Sequence, residues 1–107
     1  MKKFTNQEIA QMRAEINNGT VYCGIINGMG GYGRIYKSDK WIAFQHYGQS
    51  AVENTNAKLR WLLESIFADC DTVVPAEYSK YHCDYVPIDT QYERKDMSMS
   101  HPNVWGL

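Results

Sequence analysis

The chain has 107 residues, 44% of them hydrophobic and 21% charged, with a formal net charge of −1. That length fits one domain, 1–107, able to close a single core without disulfides or metals, and the near-neutral balance argues against a general polyanion binder. No apolar run approaches the ~20 residues that span a bilayer, and the opening "MKKFTNQEIAQM" lacks the apolar stretch of a signal peptide, so a cytoplasmic chain without a membrane segment is expected.

The first element is a helix over about residues 6–18. Thr5 and Glu8 spell a capping box, and Phe4 and Ile9 stand where a hydrophobic staple closes around a helix start. Ile9, Met12 and Ile16 recur at helical spacing, and Gly19 is placed to end the helix in the left-handed conformation. "TVYCGIIN" (20–27) then reads as a strand, rich in β-branched and aromatic residues.

The stretch "GMGGYG" (28–33) contains GxGxxG, the spacing of a nucleotide-phosphate loop. A phosphate cradle of that kind opens directly into a helix. Here "RIYKSDKWIAF" follows, which reads as strand, turn and strand, and the HRD and DFG sequences that accompany a kinase glycine loop are absent. The expectation is a long, mobile hairpin loop whose glycines supply positive φ, with Met29 and Tyr32 at its tip available to a partner.

"RIYK" (34–37) and "KWIAFQHY" (40–47) complete a three-stranded antiparallel meander. "SAVE" (50–53) repeats the capping grammar, so a second, amphipathic helix is expected over about 51–69, burying Leu59, Leu62, Leu63, Ile66 and Phe67. Beyond it "TVVP" reads as a short strand or, from Pro75, a helical turn through "AEYSKY". "CDYVPID" (83–89) reads as an edge strand because Pro87 cannot donate to a ladder. Residues 90–107, closing with Val104, Trp105 and Leu107, form a C-terminal strap or tail. The fold class is α+β: an N-terminal helix, the meander, a helix packed on one sheet face, and an irregular C-terminal third with one or two short strands.

Candidate chemistry is sparse. Cys23, Cys70 and Cys83 are odd in number and lack a framework spacing, as expected of reduced thiols. With His46, His82 and His101 they form no C-x-x-C or H-x-x-x-H pair, so no metal site is expected. A nucleophile pair of Cys23 or Cys83 with His46 would need contact and a third orienting group, neither of which the sequence signals. Asp69, Asp71, Glu77, Asp84 and Asp89 stand in loop-like context, where solvated charge is the default. No catalytic residue and no cofactor is assigned.

Pleat alternation carries more. It puts Val21, Cys23, Ile25, Ile35, Ile42 and Phe44 on the side the helices would cover, and Tyr22, Ile26, Arg34, Tyr36, Trp41 and Tyr47 on the other. Aromatic rings around an arginine have the composition of an interface hot spot, and the chain holds eight Tyr, three Trp and three Phe. The face could be covered by the chain's own end, by a second copy or another protein, or by single-stranded nucleic acid stacked on the rings. The leading expectation is a small non-enzymatic protein acting through contact with another protein, an inhibitor or adaptor of the kind phages and mobile elements encode. Its binding residues would be Tyr22, Arg34, Tyr36, Trp41 and Tyr47, joined by Met29 and Tyr32. A nucleic-acid-binding regulator and a small Cys/His enzyme are the alternatives, and a homodimer is a further partner arrangement.

Overall fold

In a computed structural model, the structure describes residues 3–28, 30–81 and 83–88. Helix α1 spans Asn6–Asn17, with the Thr5–Glu8 box formed in both directions: Glu8 N–H donates to Thr5 Oγ1 at 3.0 Å and Thr5 N–H to Glu8 Oε1 at 2.9 Å. At its other end Gly19 has φ +104°, the Gly19 N–H donates to Ile16 O, and the Thr20 N–H donates to Glu15 O. This is the paired backbone closure of a helix end that a left-handed glycine permits.

Strands β1 (Val21–Ile26), β2 (Gly30–Ser38), β3 (Trp41–His46) and β4 (Gly48–Glu53) follow as an antiparallel meander. After helix α2 (Asn56–Trp61) and a π-helical turn (Leu62–Ile66), β5 (Thr72–Ser79) returns to pair with the outer side of β1, and β6 (Asp84–Pro87) pairs with β5. The result is one six-stranded antiparallel sheet in the order β4-β3-β2-β1-β5-β6. The fold is α+β, as expected, but its sheet has six strands where a three-stranded meander with one or two short C-terminal strands was expected. Among the described residues no helix is long and apolar enough to cross a membrane.

Three differences account for the larger sheet. "GQSAVE" is strand β4, and Ser50 with Glu53 caps nothing; the helix is capped by Thr55, whose side chain accepts from Lys58 N–H. The C-terminal third is an ordered hairpin through residue 87 rather than irregular. Pro75 lies inside β5 because its carbonyl, accepting from Ile88 N–H, turns toward the outer side beyond the last β6 pair, where its missing N–H interrupts no ladder. Edge strand β6, by contrast, ends at Pro87 as its sequence implies. The strap expected at 90–107 lies outside the described residues.

The core forms between one sheet face and the helices. Ile9, Met12 and Ile16 from α1, Leu59, Leu62, Leu63 and Phe67 from the second helical segment, and Tyr22, Ile35, Ile42 and Phe44 from the sheet make one cluster. The glycine stretch is no long loop: the β1–β2 turn is short, Gly28 (φ +84°) serves it, and the strand resumes at Gly30. Gly33 answers a different need. It pairs with Gly24 across β1 and β2, and a Cβ on it would lie 2.1 Å from the Gln45 carbonyl oxygen. A Cβ on Gly24 would lie 2.5 Å from Cys70 Sγ and 2.7 Å from the Phe67 ring. The two glycines are the floor on which Phe67 packs.

That floor sets the phase of β1, which is opposite to the expected one. Tyr22 and Gly24 face the helices, whereas Val21, Cys23 and Ile25 lie on the open side with Arg34 and Gln45. "VYCGII" is apolar at almost every position, as suits a central strand flanked by β2 and β5, so alternation could not choose its inner side.

Candidate functional site

The open face is built from the register. Cys23, Arg34, Gln45 and Gln49 stand opposite one another across β1, β2, β3 and β4, and Tyr36, Ala43 and Ala51 form the next row. Residues directly opposite on antiparallel strands share a face. No described helix covers this side, since α1 and α2 contribute to the core on the other.

Arg34 is the centre of the face. Its guanidinium carbon lies 4.8 Å from the Tyr36 ring centre and 5.0 Å from that of Tyr85, and its Nε donates to Gln45 Oε1 at 2.8 Å. Gln49 Nε2 donates to Tyr36 Oη at 2.9 Å and so fixes the first ring. Tyr85 belongs to edge strand β6 and reaches back over β1, its carbonyl accepting from Cys23 Sγ at 3.9 Å and its ring meeting Tyr78 edge-on at 5.6 Å. Among the described residues no carboxylate stands within ion-pair distance of Arg34. The guanidinium is therefore oriented by two rings and an amide, with no counterion among the described residues. Trp41 extends the face with 42% of its surface exposed and Lys40 Nζ 5.8 Å from its ring centre; Tyr78 is 56% exposed.

Of the residues expected to bind, Arg34, Tyr36 and Trp41 are brought together on this face. Tyr22 is not: it is only 6% exposed, on the helix side, and its hydroxyl donates to the Glu15 carboxylate. This bond lowers the Glu15 pKa, while burial, followed by Glu15 itself, raises that of Tyr22. Tyr32 also lies helix-side, stacked on His46 at 4.0 Å, edge-on to Phe67 at 5.7 Å, and donating to Ile66 O at 3.3 Å. Tyr47 occupies the β3–β4 turn at φ +71° and is 99% exposed, its ring 4.4 Å from His46. Met29 lies outside the described residues. Tyr78, Tyr85, Gln45 and Gln49 were missed by sequence reasoning. The first two bracket "SKYHC", and treating "TVVPAEYS" and "DYVP" as one hairpin would have found them.

The candidate nucleophile pairing is not assembled. Cys23 is on the open face and His46 on the helix side, and Cys83 lies beside the edge strand far from β3 in the sheet order. Burial pushes the Cys23 and Cys70 thiols up to about 11; Cys83 is exposed. Among the described residues no group of three or more His, Cys, Asp or Glu side chains could hold a metal ion. His82, Asp89 and His101 lie outside those residues. Comparison of the chain with family models, with curated proteins and with solved structures yields no match.

Proposed function

We propose that this is a binding protein, an inhibitor or adaptor that acts by occupying a surface of another protein through the open sheet face. The observation that carries the reading is Arg34, held between Tyr36 and Tyr85 on a face that no described helix covers, with no counter-charge among the described residues. A pre-oriented guanidinium flanked by rings fits a carboxylate that approaches within an apolar surround, because desolvation strengthens the charged contact while the rings bury area. Burial raises the Cys23 and Cys70 thiol pKa values, which argues against either of these two acting as a nucleophile.

The test is capture from lysate of the native source by wild type beside Arg34→Ala and by Tyr36→Ala with Trp41→Ala. The expected result is a partner retained by wild type and lost from both variants, with melting temperatures close to wild type. Retention by both variants would refute the reading, and a collapse of stability would make these residues core.

Single-stranded nucleic acid is the second reading, favoured by the same rings. Arg34, with Lys40 beside Trp41, supplies little charge for phosphates, so the protein reading stands first. Titration with oligonucleotides at two salt concentrations separates them: binding that weakens steeply with salt selects nucleic acid.

A further inference from the structure

The two edges of the sheet are unlike each other. β6 carries the devices that stop strands from recruiting neighbours: it is four residues long, opens with Asp84 and ends with Pro87. β4 carries fewer of them. Its six residues pair with β3 in unbroken register without a bulge, they include no proline and no lysine, and the sole charge, Glu53, is at the end. All but Val52 are exposed. No described strand lies beyond β4, so alternate backbone N–H and C=O groups along this edge point away from the sheet.

We infer that β4 pairs with β4 of a second copy of this chain, antiparallel, about a two-fold axis at Ala51. A two-fold normal to the sheet keeps each side chain on its own face, so only residues of equal parity can stand opposite. Centred on Ala51, this places Gln49 against Glu53 of the second copy, Ser50 against Val52, and Ala51 against itself. The carboxylate gains an amide donor, since Gln49 has a second N–H beyond the one given to Tyr36, and no like charges meet. Centring on Ser50 would instead bring Glu53 opposite Tyr47, out in the turn. The pairing joins two six-stranded sheets into one of twelve. Because α2 packs on β4, the helices of both copies lie on one side of that sheet, and both Arg34 faces open on the other. This pairing is independent of what the Arg34 face binds.

Sedimentation velocity of the full chain over a rising concentration series is the first measurement. The expected species has twice the 12.4 kDa chain mass. Ala51→Lys, which sets two like charges on the axis at an exposed position, returns the chain to single mass, with a melt matching that of wild type diluted to single mass. Thr72→Lys, exposed on the same face but within β5, leaves the dimer intact. In a Cys83→Ser background, Ala51→Cys forms a disulfide-linked dimer under mild oxidation and Thr72→Cys does not, because residues opposite each other on the axis come within disulfide reach. A wild-type chain that stays at single mass throughout overturns the proposal, even if it takes up a foreign strand at β4. So does equal dissociation by the two lysine variants, which would place the contact on the broad face.

Discussion

A methyl group on Gly33 has nowhere to go, because the Gln45 carbonyl oxygen that it would strike is backbone. Gly33→Ala therefore costs about 2–3 kcal/mol, whereas Gly31→Ala, with open space around it, stays within ~0.5 kcal/mol; urea melts of the two variants measure the difference. The Tyr22–Glu15 bond makes a second contrast. With the folded Glu15 pKa lowered below the ordinary glutamate range by the Tyr22 hydroxyl, the carboxylate's stabilisation is complete above that range and lost as pH falls through the folded value. Tyr22→Phe removes about 1 kcal/mol at neutral pH. Its deficit against wild type should hold steady from neutrality down to the ordinary carboxylate range and shrink in stronger acid, read from melts across pH. The thiols differ by burial: native protein should give one fast-reacting cysteine, Cys83, with Cys23 and Cys70 reacting only on unfolding, as counted by a chromogenic thiol reagent.

At the scale of elements, sequence reading gave the second helix a cap at Ser50 and Glu53, whereas the cap is Thr55, five residues beyond Ser50. Thr55→Ala should cost about 1 kcal/mol, the ordinary worth of an N-cap. Ser50→Ala, on an exposed strand, should cost almost nothing, and chemical denaturation of the pair checks the assignment. The same segment shows what periodicity reports. Leu59, Leu62, Leu63 and Phe67 are buried as their spacing predicts, yet Ile66 is only half-buried because the segment widens to a π turn, with Phe67 N–H donating to Leu62 O at 3.0 Å. Helix α1 was legible almost to the residue because its caps are local chemistry. β4 was not, since nothing in "GQSAVE" favours a strand until β3 lies beside it.

Across the whole molecule, the sheet separates a sealed side from an open one, and the separation decides which aromatic residues are available. Arg34, Tyr36 and Trp41 were legible as surface because β2 and β3 alternate cleanly between apolar and polar positions. Tyr22 was misplaced because β1 is apolar on both sides, and Tyr32 because its glycine-rich surroundings read as a loop tip, whereas they form the start of β2, beside the bulge at Gly24/Ile25. Tyr85 could not be anticipated: it belongs to a strand fifty residues beyond Arg34, brought within reach only when β5 returns to β1.

The amino-acid sequence alone determined the capped first helix, the apolar stripe of the second, the α+β class and the outward placement of Arg34, Tyr36 and Trp41. Each rests on interactions between residues a few positions apart, or on a side-chain period that holds in any context. Only tertiary structure decided the phase of the central strand, the strand identity of β4 and the arrival of Tyr85 over Arg34. Those depend on what packs against a segment from far along the chain: Phe67 needs a floor without side chains, and only Gly24 and Gly33, paired across two strands, provide it.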